Sequence, residues 1–246
     1  VTFAIETRNL TVAYDDVVAL DDVTLALPPG SLTGVLGPNG SGKSSLIKGL
    51  IGAAHTRGSA WIEGSSGEAA ARRVAYIPQQ NAVPLDFPVT VEDVVWQGRY
   101  AHMGLLRRRR PEDLRAVEHA IERVGIAEQR HRQIGALSGG QRQRAFFARA
   151  LAREASVLLL DEPFAGVDAT TEAALVEVLR ELREDGATIV VVHHDLSTAR
   201  AYYDHIVLLR TRLVAAGPTD EVFTPELLSQ AYGGSVAIFF DRERTS

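Results

Sequence analysis

Three short stretches of this sequence combine residue types that do chemistry together. In Gly37-Pro38-Asn39-Gly40-Ser41-Gly42-Lys43-Ser44, two glycines enclose four residues and are followed by Lys and Ser. Glycines let the backbone turn so that successive N–H groups converge on phosphate oxygens, and a helix beginning at the loop adds a favourable dipole. Lys43 then reaches the β and γ phosphates, and the Ser44 hydroxyl ligates Mg²⁺. Val157-Leu158-Leu159-Leu160-Asp161-Glu162-Pro163 places two carboxylates at the end of an apolar run, where ligands bind in open α/β sheets. Adjacent acids suit different tasks: Asp161 holds Mg²⁺ through its shell, and Glu162 polarises an attacking water as general base. Two acids ending a strand mean little alone and much beside a phosphate loop. In Leu137-Ser138-Gly139-Gly140-Gln141, Ser138 is placed to cap a following helix, and the glycines allow close backbone approach to an anion.

The elements that must position these residues follow from periodicity. Ala4 to Leu27 alternates loosely and is broken at Tyr14-Asp15-Asp16, which predicts antiparallel strands joined by turns. Leu32 to Leu36 predicts a short buried strand feeding the phosphate loop and a helix from about Lys43. Further strands are predicted at Ala60 to Glu63 and Arg73 to Ile77, and helices at Val91 to Gln97, Glu112 to Val124 and Gln141 to Arg153. Val157 to Leu160 and Thr188 to Val192 read as buried strands flanking an amphipathic helix, Thr170 to Glu184, that ends at Gly186. His205 to Leu209 and Leu213 to Ala216 predict a hairpin, and Pro225 to Tyr232 a terminal helix. The expected class is α/β, with a phosphate-loop NTPase core built on a mainly parallel sheet, an N-terminal antiparallel β subdomain and an inserted helical subdomain over about 91–153. All of 1–246 is expected to be one domain.

Composition bounds the function. A chain of 246 residues, 46% hydrophobic, buries a substantial core, and the absence of Cys rules out disulfides and thiolate metal sites. No apolar run approaches the roughly 20 residues of a membrane helix, and Val1 to Arg8 lacks a basic-then-apolar leader. The formal charge of −5 argues against a dedicated polyanion binder, so no nucleic-acid partner is expected. Lys43 and Lys48 are the only lysines among 26 basic residues. Arg107 to Arg110 is read as a solvated connector closed by Pro111, with contact to acidic headgroups or a membrane partner as the alternative. Val236 to Phe240 is read as a packed terminal segment.

With phosphate loop, pentapeptide and Asp-Glu strand end in this order, the chain resembles the ATPases of ABC transporters from about Ile5 to about Gly234. The resemblance implies roles for further residues. Tyr14 matches the aromatic that stacks on adenine, and Gly37 to Ser45 the loop around the phosphates. Gln79, favoured over Gln80 by the preceding Tyr76-Ile77-Pro78, matches the glutamine that senses γ phosphate and Mg²⁺. Asp168 matches the acid at the dimer seam. His194 is chosen over His193 as the switch histidine because Asp195 follows it. The resemblance also implies ATP and Mg²⁺ as cofactors and an ATP-sandwich dimer in which Ser138, Gly139, Gly140 and Gln141 of a second copy close the γ phosphate. Its other implied partners are an integral membrane permease and, indirectly, an extracytoplasmic metal-binding protein, with the chain peripheral on the cytoplasmic face of the membrane.

Gly98-Arg99-Tyr100, the stretch from Asp161 through Phe164-Ala165-Gly166-Val167-Asp168 to Thr171-Glu172, His193-His194-Asp195-Leu196 and Ala231-Tyr232-Gly233-Gly234 look most like the ATPases of manganese and related metal importers. Zinc, iron and siderophore importers are the alternatives. A DNA-repair ATPase head, the reading from a different class, would insert a long coiled coil between loop and pentapeptide. Only 94 positions separate Lys43 from Leu137, without sustained heptads.

Overall fold

The computed structural model describes residues 3–79, 88–103 and 108–233. Its chain divides into two compact units, one built from 1–73 with 188–246 and the other from 74–187. The first unit opens with β1 (Ile5–Tyr14), β2 (Val17–Leu27), β3 (Leu32–Leu36), α1 (Lys43–Leu50), β4 (Thr56–Ile62) and α2 (Gly67–Arg72). The second contains β5 (Val74–Ile77), α3 (Val91–Trp96), α4 (Pro111–Arg123), α5 (Gly139–Leu151), β6 (Val157–Asp161) and α6 (Ala169–Glu184). The chain then completes the first unit with β7 (Thr188–Val192), α7 (Leu196–Tyr202), β8 (His205–Arg210), β9 (Arg212–Pro218), α8 (Thr219–Val222) and α9 (Pro225–Tyr232).

In the first unit β1 pairs antiparallel with both β2 and β4. Leu10, Val12, Leu20 and Val23 alternate inward and are fully buried, as a half-covered antiparallel sheet requires. Tyr14 pairs with Val17 across a two-residue turn in which Asp15 takes φ 50, a left-handed conformation that Asp tolerates better than most side chains. β4 starts four residues before its expected position at Ala60. Thr56 to Ser59 are exposed and polar, so the ladder to β1 rather than an apolar pattern makes them a strand. In the same unit β3 lies parallel between β7 and β8, and β9 closes antiparallel on β8, the expected hairpin. All five residues of β3 and of β7 are buried, the signature of parallel strands covered on both faces.

In the second unit β5 pairs parallel with β6, with Ile77 opposite Leu160. α3, α4 and α5 pack on one another and begin within two residues of the positions read from periodicity. A 3₁₀ turn, Gln97–Arg99, follows α3. A Cβ on Gly98 would lie 2.2 Å from the Arg149 carbonyl oxygen, so only glycine lets this turn rest against α5. Arg99 is 4% exposed. Its Nε donates to Asp113 Oδ1 at 3.0 Å, and its Nη1 to Ala152 O at 2.9 Å and Glu154 Oε2 at 2.6 Å, tying the start of α4 to the end of α5. Burial pushes the Asp113 carboxyl up, but the Arg110 N–H and the Arg99 guanidinium outweigh it and hold it below its ordinary value. Arg109 stacks 4.3 Å from the centre of the Trp96 ring, and the Arg110 N–H donates to Asp113 Oδ2 at 3.1 Å at the start of α4, with Pro111 in its first turn. Arg107 lies outside the described residues.

α2 and α7 have no counterpart in the sequence reading. Each buries a single residue, Ala70 in α2 and Ala199 in α7, so neither carries an apolar stripe.

Candidate nucleotide site

The phosphate loop leaves β3 at Gly37 and turns into α1. Gly42, at φ 94, precedes Lys43, and a Cβ there would lie 2.4 Å from the Ala19 carbonyl oxygen. α1 begins without a side-chain cap and has no acidic residue in its first turn, which leaves the positive end of its dipole facing the loop. The Lys43 ammonium folds back to donate to Gly37 O at 2.8 Å and Pro38 O at 3.0 Å, and Lys43 is only 6% exposed. Ser41 Oγ is buried without a hydrogen-bond partner. Tyr14 lies in the same unit, 40% exposed, with the Lys48 ammonium 5.9 Å from its ring centre. The Tyr232 hydroxyl is pushed up to about 12 by burial, offset in part by the backbone of Gly37 beside it. Asn39, Gly40, Ser44 and Ser45 complete the loop and the start of α1.

In the second unit β6 ends on Asp161, which is 2% exposed. The chain turns at once: Glu162 takes φ 49, and its carbonyl accepts from the Ala165 N–H at 3.2 Å. Phe164 anchors the turn by stacking on Phe147 of α5, ring centres 6.3 Å apart. The register of Ile77 on Leu160, carried two residues further, sets Gln79 beside Glu162, and Gln79 Nε2 donates to Glu162 Oε2 at 2.7 Å. Gln80, the alternative to Gln79, lies outside the described residues.

Ser138 caps α5 as its residue type predicts. Its Oγ accepts from the Gln141 N–H at 3.3 Å, and the Gln141 side chain accepts from the Ser138 N–H at 3.2 Å, a reciprocal capping box. Asp168 caps α6 by accepting alone, Oδ1 from the Thr171 N–H at 2.9 Å and Oδ2 from its hydroxyl at 2.8 Å. The Thr171 N–H and then the Thr171 hydroxyl hold the Asp168 carboxyl below its ordinary value. A Cβ on Gly140 would meet Thr171 at 3.5 Å and Asp168 at 3.7 Å, so the two caps adjoin. With Gln141 and Arg144 they line an open pocket of about 500 Å³.

Over residues 20–165 the sequence matches the ABC transporter family. The chain belongs to that family.

It is 46% identical, over 98% of its length and 96% of the relative's, to the manganese transport system ATP-binding protein MntB of Bacillus subtilis. It is 45% identical, over 96% of its length and 89% of the relative's, to the zinc transport system ATP-binding protein TroB of Treponema pallidum. A solved ATP-binding subunit of an ABC transporter superposes with a TM-score of 0.79 at 28% identity, covering 97% of this chain and 98% of that one. The chain is thus an ABC-type ATPase that binds nucleotide and serves a membrane permease. Among the described residues of this ABC ATPase, no helix is long and apolar enough to cross a membrane.

The expected site residues fall into groups: the loop with Tyr14, Gln79 with Asp161 and Glu162, and Ser138 to Gln141 with Asp168. The two histidines separate. His193 is 3% exposed, with Nε2 3.0 Å from Thr198 Oγ1 and its ring against Tyr202 and Tyr203. Burial, then the neighbouring His194, lowers it to about 4, with Asp195 opposing. His194 is exposed, as alternation along an extended segment demands. Sequence reasoning gave Asp168 a seam role and did not see its cap, although Asp three residues before Thr171 at a helix start signals one. It also treated Gly98-Arg99 only as a family marker, whereas both hold α5 in place. Gly234 and Val236 to Phe240 lie outside the described residues.

Proposed function

We propose that this ABC ATPase powers import of a divalent transition metal, manganese first, through a separate permease, with an extracytoplasmic metal-binding protein delivering the cargo. The observation that carries the cargo assignment is 44% and 46% identity, over nearly the full length, to relatives named for manganese transport. The relative named for zinc transport, at 45% identity, makes zinc the second reading. The working position is the cytoplasmic face of the membrane, and 1–246 acts as one ATPase domain with its helical part at about 91–153.

The residues fit ATP and Mg²⁺. The loop offers an ammonium, a helix N-terminus and the buried, unpartnered Ser41 hydroxyl, a donor set suited to phosphate oxygens. Ser44, Gln79 and Asp161 supply the hard oxygen ligands that Mg²⁺ takes, and the ion when bound neutralises charge on the β and γ phosphates. Tyr14 stacks on adenine, Gly37 to Ser45 cradle the phosphates, and Lys43 neutralises them. Glu162 takes the proton of the attacking water, Gln79 orients that carboxylate, and His194 contacts the γ phosphate. Ser138, Gly139, Gly140 and Gln141 of a second copy close the outer face of the γ phosphate, with Asp168 at the seam, so ATP holds the dimer together.

The test is uptake of labelled manganese, zinc and iron by cells carrying the wild-type chain or Lys43→Ala with the permease unchanged. Selective loss of manganese uptake is expected. Equal uptake of all three metals in both strains would overturn metal import, and selective loss of zinc would move the assignment to zinc.

A further inference from the structure

The segment leading into the pentapeptide is fastened to the start of α3 by a ladder that the chemistry above does not use. First-turn N–H groups of a helix have no acceptor within the helix. Here the Val91 N–H donates to Arg132 O and the Glu92 N–H to Arg130 O, both at 3.0 Å, while the Ile134 N–H returns to Val89 O at 2.9 Å. Thr90 and Gln133 bridge between them. The Glu92 carboxylate sits over this ladder. Its Oε1 accepts from Arg130 Nη2 at 2.7 Å and from Trp96 Nε1 at 3.4 Å, and its Oε2 lies 3.5 Å from His131 Nδ1. The Glu92 and Arg130 side chains are 21% and 27% exposed, so water screens this pair less than it screens a surface pair.

Little slack separates the ladder from Ser138. Ile134 is fully buried, Ile134–Ala136 forms a 3₁₀ turn, and Leu137 is 5% exposed, so the intervening chain is anchored at each end. We propose that Glu92 is a positioning residue for the pentapeptide: by clamping Arg130 and the 130–134 segment to the start of α3, it fixes where Ser138 meets the ATP of a second copy. A displacement of the start of α3 is then carried to Ser138 as a rigid shift. This inference rests on the sandwich reading of Ser138 to Gln141.

The test uses full-length chains carrying Glu162→Gln to block hydrolysis. Nucleotide affinity is read by a fluorescent ATP analogue, and ATP-driven dimerisation by light scattering across a protein dilution series. Glu92→Ala is expected to leave the affinity of the separate chain unchanged while weakening dimerisation about tenfold, the scale of one lost part-buried charge pair. The exchanged pair Glu92→Arg with Arg130→Glu is expected to recover most of that loss. Dimerisation of Glu92→Ala at the parent level would overturn the proposal, as would failure of the exchanged pair to recover. Should Glu92→Ala not fold, Arg130→Gln must show the same selective weakening, and parity with the parent would overturn it equally. Ser138→Arg separates the two readings. If it leaves the dimer intact, the sandwich itself fails; if it abolishes the dimer while Glu92→Ala does not, only the role of Glu92 fails.

Discussion

The side-chain amide of Gln79 donates to Oε2 of Glu162 at 2.7 Å, and the register of β5 on β6 sets this bond. The carboxylate proposed to accept the water's proton is therefore held by a residue two positions beyond a buried strand, on a backbone at φ 49.

Glu162→Gln keeps the shape of the side chain and an oxygen that accepts from Gln79, but it cannot take a proton. ATP binding is expected to persist while turnover falls by about two to four orders of magnitude, the usual worth of a general base. Steady-state ATPase assays and nucleotide binding check this. Turnover within about threefold of wild type would remove Glu162 from the base role.

Ser138→Arg puts bulk and charge at the cap of α5 while leaving the phosphate loop untouched. The chain is expected to bind ATP yet remain monomeric when hydrolysis is blocked, whereas the parent dimerises. Light scattering with and without ATP decides the matter, and an ATP-driven dimer of the mutant would refute the sandwich.

His193 is lowered to about 4 by burial, so the folded state binds fewer protons than the unfolded state once pH drops below the ordinary histidine value of 6.5. Its contribution to stability is unchanged above pH 6.5 and is lost progressively between 6.5 and about 4, up to about 3 kcal/mol. Urea unfolding at pH 7 and pH 4.5 should show a smaller drop in His193→Gln than in wild type. Equal drops would mean that His193 protonates in the folded chain.

Arg99→Met should destabilise the chain by about 3–5 kcal/mol, because Asp113, only 1% exposed, would keep its charge without the guanidinium. Depression of the Asp113 pKa adds an acid-side signature. The stability that the pair supplies is present above the ordinary Asp value of 3.8 and is lost as pH falls through the lowered one. Thermal unfolding of the double variant Arg99→Met with Asp113→Leu should recover much of the loss. No recovery would place the cost in packing rather than charge.

Much of this architecture is legible where burial is two-sided. β6 and β7 read as four-residue apolar runs, Val157 to Leu160 and Ile189 to Val192, because covered parallel strands have no solvent face. The Ser138 cap is legible because capping is local chemistry. His194 is preferred to His193 only because Asp195 follows it, whereas the burial of His193 and the exposure of His194 follow from alternation along the segment. What escaped reading depends on partners distant in sequence. Arg99 meets Glu154 across 55 positions and Arg130 meets Glu92 across 38, and neither pair leaves a periodic trace. The polar first half of β4 is a strand only because β1 lies beside it.

The rarity of lysine gives this protein an experimental handle. An amine-reactive dye would find Lys43 sheltered, its ammonium turned inward onto Gly37 and Pro38, whereas Lys48 is partly open beside the Tyr14 ring. Side-chain labelling should therefore concentrate at a single point next to the expected adenine seat. That allows a fluorophore to report base occupancy without an engineered cysteine, in a chain that has no native cysteine to interfere.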